Sequence, residues 1–168
     1  VRPRLAPPAL VLTVALLLTG CGGGTEQVAL PPPSSAPPTS PAPLTVKEAK
    51  GRYLSLVAPY DIARDELAEA MKAGREWRTV RERAGAVATA NAACAEQLRG
   101  TSWPAAVQAP MTALLAEHEI ALRHWKRAAG AGSSAALRRE IKAAEAHTGD
   151  RTAAQVRAAL GLPPRRPT

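Results

Sequence analysis

The chain has 168 residues, 46% of them hydrophobic and 21% charged, with a formal net charge of +8 and no phenylalanine. That length fits one folded domain, and two cysteines exclude a scaffold built on disulfides. The basic balance reads first as solubility and compositional bias, with attraction to an anionic wall polymer or lipid surface as the alternative; no RRM, zinc-finger or similar pattern is present, so nucleic acid is not expected as a partner.

The chain begins with two arginines, Arg2 and Arg4, followed by an apolar block from Ala9 to Leu18. A basic start, a short apolar core and small residues at a cut site describe an export signal. The apolar run is shorter than the roughly 20 residues a membrane-spanning helix needs. It ends on Leu18-Thr19-Gly20-Cys21, followed by three glycines. This tetrad resembles the lipobox of bacterial lipoprotein precursors. The resemblance implies cleavage between Gly20 and Cys21, loss of residues 1–20 as a signal peptide, and a diacylglyceryl group on the Cys21 sulfur. A thiolate is the nucleophile such an alkylation requires, and paired acyl chains hold a protein firmly to lipid. The expected location is therefore the extracytoplasmic face of the cell membrane, with membrane lipid as the first partner. Loss of Arg2 and Arg4 lowers the net charge from +8 to +6.

Residues 21–44 read as a flexible linker rich in Gly, Pro and Ser, with seven prolines between Thr25 and Leu44. Such a segment cannot form a packed core and has polyproline-II character. At about 3.1 Å per residue its proline-rich part spans on the order of 60 Å. The folded domain is expected over residues 45–162, with residues 163–168 as a disordered tail.

Helical signals then follow one another. Thr45 with Glu48 forms a capping box. The first apolar face runs Tyr53, Val57, Tyr60, Ala63, Leu67 and Ala70, and Pro59 is expected to kink or interrupt it near Ala58. A second helix from Glu76 to Leu98 carries the seam Trp77, Val80, Ala84, Val87, Asn91, Cys94 and Leu98, spaced alternately by three and four. Ser102 is placed to cap a third helix, with Pro104 in its first turn. Pro110 suggests that Trp103 to Ala109 forms a separate short turn. The third seam is Val107, Met111, Leu114, His118, Ala121 and Trp125. Ser133 or Ser134 caps a fourth helix bearing Leu137, Ile141 and Ala144. Thr148-Gly149-Asp150 interrupts it, and Asp150 can cap a last helical piece with Val156 and Leu160. The pattern predicts an all-α domain, an antiparallel four-helix bundle. Leu, Ile and Val supply only 19 of these 118 residues, so alanine and the five aromatic residues must do much of the packing.

His118 and Asn91 are polar residues in apolar seams, where each needs a partner. They either hydrogen-bond each other and fix helix register or face a small ligand; Trp125 and Trp103 are the indoles that could border such a ligand. No metal site is expected. Leu122 stands where a zinc-protease helix would place its second His, and His124 lies about 120° around the helix from His118. His147 is expected to be exposed near a helix end. Cys94 is read as a small buried apolar group. Arg75, Arg78, Arg81 and Arg83 form a solvated face with interspersed glutamates, or with Arg138, Arg139 and Lys142 an anion-binding one. No nucleophile elbow, phosphate loop or dinucleotide glycine pattern is present, and no enzyme activity or cofactor is expected. The layout is similar to that of small lipid-anchored helical proteins of actinobacteria, which implies location and fold but no catalytic residue. The leading expectation is a non-enzymatic interaction or accessory module of the cell envelope, with an envelope protein or anionic wall polymer as partner. The alternative is a bundle that binds a small ligand or metal through the polar core around His118 and Asn91.

Overall fold

A computed structural model describes residues 42–165. The leader, Cys21 and most of the linker lie outside the described residues. Five helices follow in order: α1 (Val46–Lys72), α2 (Trp77–Arg99), α3 (Ala105–Ala129), α4 (Ser134–Glu145) and α5 (Asp150–Ala159). No strand occurs among the described residues. The domain is an all-α bundle in which α4 and α5 together make the fourth layer.

The capping box opens α1 as expected. Glu48 accepts from the Thr45 backbone N–H at 2.9 Å, and Thr45 Oγ1 accepts from the Glu48 N–H at 3.3 Å. The Thr45 hydrogen bonds hold the Glu48 carboxyl below its ordinary pKa. Neither interior proline breaks its helix: α1 runs through Pro59 and α3 through Pro110. Each ring removes one helical hydrogen bond, but the carbonyls left unpaired belong to the exposed residues Ser55 and Ala106, where water can reach them. Burial of Leu56 and Tyr60 around Pro59, and of Val107 and Met111 around Pro110, keeps both helices in place.

Two expected caps also differ. Pro104, not Ser102, stands at the N-cap of α3 and makes no side-chain cap bond. The Ser102 carbonyl instead accepts the Leu44 N–H at 2.9 Å, which ties the end of the linker to the α2–α3 turn. Gly149, with φ of 72°, is the N-cap of α5, and Asp150 is the first residue of that helix. Ser133 caps α4 as expected, accepting from the Ala136 N–H at 3.2 Å.

The layers pack in chain order: α1 on α2, α2 on α3, and α3 on both α4 and α5. Alanines at 0% exposure, among them Ala84, Ala121 and Ala128, line the seams and let helices approach closely. Gly85 faces Ala129 on the α2–α3 seam, where an added Cβ would sit 3.6 Å from the alanine methyl. The ring of helices does not close. α1 and α5 make no direct backbone packing with each other. Large side chains on α1, chiefly Tyr53 and Tyr60, reach inward across the gap.

Gly149 joins the halves of the fourth layer. Its left-handed backbone and a Cβ that would fall 2.8 Å from Leu114 Cδ1 both oppose a side chain. Gly149→Ala is expected to cost about 1–3 kcal/mol, read as a lower urea midpoint. Gly51, inside α1 with open space around it, gives the opposite outcome: Gly51→Ala should stabilise by about 0.5–1 kcal/mol.

Candidate functional site: a cleft between the first and last helices

The open seam forms a cleft of about 490 Å³. Its floor includes Tyr53, Tyr60, Leu114, His118 and Trp125, its α5 wall the small residues Ala153 and Ala154, and its rim both carboxylates and guanidinium groups. Small side chains on α5 opposite aromatics on α1 leave room that a wider α5 residue would fill.

Beneath the floor lies a polar cluster drawn from three helices. His118 on α3 is 4% exposed and Asn91 on α2 is fully buried. Their side chains meet at 3.1 Å, His118 Nδ1 to Asn91 Oδ1. An amide oxygen only accepts, so Nδ1 carries the proton and donates. That leaves Nε2 as the ring's unprotonated nitrogen, on a side chain that borders the cleft. Burial, aided by the nearby Arg64 charge, lowers the His118 pKa to about 4. The imidazole is therefore neutral near pH 7.

Tyr60 on α1 covers this pair, its ring 5.0 Å from that of His118 and tilted by 50°. Trp125 Nε1 donates to the Tyr60 hydroxyl at 3.4 Å. Burial raises the Tyr60 pKa against smaller opposing effects of Trp125, Arg64 and Asn91. The Asn91 amide lies near enough to the Tyr60 hydroxyl to favour its ionised form, but its Nδ2 makes no hydrogen bond of normal distance and angle and is the one buried side-chain polar atom without a partner among the described residues. Tyr53, further along α1, has its pKa pushed up to about 12, chiefly by burial.

The rim carries opposed charges. Arg64 lies 5.7 Å over the Tyr60 ring and 3.4 Å from Asp150. Asp61 pairs with Arg165 Nη1 at 2.5 Å, and Asp65 lies 3.8 Å from Arg165 Nη2. Burial raises the Asp61 pKa, and the Arg165 and Arg64 charges pull against that rise. Residues 163–165, read from sequence as the start of a disordered tail, instead turn back over α1. Gly161 reverses the chain at φ of 62°, Arg157 Nε donates to the Pro163 carbonyl at 2.8 Å, and the Arg165–Asp61 pair fixes the far end.

The structure thus brings His118, Asn91 and Trp125 together, with Asn91 behind the floor rather than on the cleft surface. Trp103 does not join them. It is buried at the α2–α3 turn, donates from Nε1 to the Leu98 carbonyl at 2.8 Å, and meets Tyr53 edge-on at 6.4 Å. It also borders a separate, more open depression with Pro43, Leu98 and Met111. Cys94 is buried, and burial pushes its thiol up to about 12, so it is not a thiolate at neutral pH. No group of three or more His, Cys, Asp or Glu side chains able to hold a metal occurs among the described residues.

His147, expected exposed, is half-buried against Glu117 at 3.0 Å and stacks on His124 at a centroid distance of 6.4 Å. Glu140, held by Arg127 and His124, has its pKa lowered to about 2. These pairs join α3 to α4 and to the turn that follows it. The residues that sequence reasoning passed over are Tyr60 as a polar partner, Asp61, Asp65 and Arg165. The i, i+1, i+4, i+5 spacing of Tyr60, Asp61, Arg64 and Asp65 places them along one helical edge. That edge becomes a site only because α5 stands away from it. No protein-family model, curated protein or solved structure matches this chain.

The buried imidazole makes stability depend on pH. The unfolded chain protonates His118 near pH 6.5 and the folded chain only near 4, so stability is full above 6.5 and falls as pH drops through that window. The loss is about 3 kcal/mol. It should appear in urea unfolding as a lower midpoint at acid pH, and His118→Gln should flatten the profile. The Glu140 contribution is lost at lower pH, between its ordinary 4.5 and about 2.

Proposed function

We propose that this chain is a lipid-anchored envelope protein, tethered through Cys21, that works by binding a small molecule in the α1–α5 cleft and not by catalysis. The observation that carries the binding role is the cleft itself. A 490 Å³ space bordered by buried His118, Tyr60 and Trp125, with charged groups at its rim, has the make-up of a small-ligand site. Of the two expectations raised by the sequence, the ligand-binding bundle therefore gains the stronger support.

A partner-docking face has less to recommend it. The exposed large apolar residues Val46, Leu54, Ile62 and Met71 all lie on α1 or at its end. Eight-residue spacings turn the first three by about 80° each around the helix, which scatters them rather than forming a patch. A non-catalytic role fits the chemistry of the buried groups: burial lowers the His118 pKa to about 4, which makes the imidazole a weak base, and Cys94 stays a thiol. The lipid anchor rests on the basic-then-apolar leader and the Leu18–Cys21 tetrad.

Two measurements test these parts separately. Mass spectrometry of the mature protein should find Cys21 at the N-terminus carrying a diacylglyceryl group, and Cys21→Ser should release the protein from the membrane fraction. An unmodified thiol or a retained leader would overturn the anchor. For the cleft, benzamidine, benzamide and benzoate span cationic, neutral and anionic aromatic fragments. At least one should shift the Trp125 indole N–H resonance, and Ala153→Trp, which fills the α5 wall, should remove the shift. No response to any of the three would overturn the binding role.

A further inference from the structure

Resting on that reading, we propose that the cleft takes a molecule with a cationic amidinium, guanidinium or ammonium head on an apolar aromatic body, and that the head replaces Arg165 between Asp61 and Asp65. Arg165 marks the place. Its guanidinium spans the two carboxylates at 2.5 and 3.8 Å while standing at the mouth of the cleft. The side chains of Arg165, Asp61 and Asp65 are 36%, 29% and 47% exposed. Ion pairs so open to water contribute little to stability and exchange readily.

The charge of the cleft favours a cation once the tail leaves. Asp61, Asp65, Glu145 and Asp150 line it, against Arg64 and Arg157 on the helices and Arg165 on the tail. Arg64 is already committed to Asp150. Withdrawal of Arg165 leaves four carboxylates facing two guanidinium groups, a net negative site in a chain whose overall charge is +8. A ligand head between Asp61 and Asp65 takes over the charge pairing that Arg165 makes there.

The floor selects the body of the ligand. Val57, Ala153 and Ala154 offer the accessible apolar surface of the cleft, while Tyr60 and Trp125, 3% and 1% exposed, close it from below and Arg64 lies over the Tyr60 ring at 5.7 Å. An aromatic group seated there with its cationic head toward α1 satisfies both surfaces at once. The tail acts as a weak internal competitor. It is held by the Arg157–Pro163 bond and stiffened by Pro163-Pro164. A competitor that occupies the site part of the time reduces apparent affinity by the fraction of time the site is free.

Titration of the full-length chain with benzamidine, benzamide and benzoate, followed by Trp125 indole N–H shifts, tests the proposal. Benzamidine should bind at least about tenfold more tightly than its uncharged isostere benzamide or than benzoate. Arg165→Ala should tighten benzamidine binding about fivefold and leave benzamide unchanged. Asp61→Asn should weaken benzamidine at least about tenfold, and Asp65→Asn provides a second, more exposed carboxylate variant should the first perturb the fold. Benzamide or benzoate binding as tightly as benzamidine would overturn the ligand class while leaving the cleft as a binding site. Arg165→Ala binding no more tightly than the parent would overturn the displacement. Silence of all three fragments would overturn both the ligand class and the binding role beneath it.

Discussion

The hydrogen bond between His118 and Asn91 is the constraint around which the rest of the domain is arranged. Two polar side chains sit where a bundle ordinarily places leucines, and each is nearly or wholly removed from water. A polar group in such a place costs stability unless it is paired. The 3.1 Å contact pairs them and fixes the register of α2 against α3. It also commits the imidazole to its neutral form, with the pKa lowered to about 4 by burial. Asn91 Nδ2, close to Tyr60, makes no bond of normal geometry among the described residues.

Tyr60 and Trp125 follow from that pair. The aromatic rings cover the imidazole from the α1 side and join α1 to α3 through long side chains, while α1 packs closely on α2 alone. Elsewhere alanine allows helices to come close, as along the α2–α3 seam where Gly85 faces Ala129. The two packing modes differ in reach. Their combination leaves α1 separated from α5, and the separation is the cleft. Charged residues at its edge remain partly hydrated, which is why Asp61, Arg64 and Arg165 can sit so near an apolar floor without full burial.

The helices were legible because apolar residues recur at three- and four-residue intervals and because Thr45 and Ser133 are strong caps. The polar pair was legible too: Asn91 and His118 interrupt those same seams. Pro59 and Pro110 misled local reasoning, since the carbonyls they orphan are exposed and the flanking residues are buried, facts set by tertiary packing. Gly149 stands at the cap in place of Asp150, in a left-handed backbone and beside Leu114, both of which favour a residue without a Cβ. Trp103 looked like a candidate stacking residue, yet the Leu98 carbonyl takes up its indole N–H. The cleft was not legible. It depends on the failure of α1 and α5 to meet, and on a tail arginine returning to α1 across 104 residues of sequence, which no local pattern encodes.

The protonation state of the His118 ring tests this account most directly. With the full chain labelled at the imidazole nitrogens, long-range ¹⁵N–¹H correlation at about pH 6 reads the tautomer and the charge. The account predicts a neutral ring with its proton on Nδ1, and no titration of that ring until the pH nears about 4. A ring that is charged at that pH would contradict the buried pair and the cleft floor built on it, and a neutral ring with the proton on Nε2 would contradict the assignment of His118 as the donor.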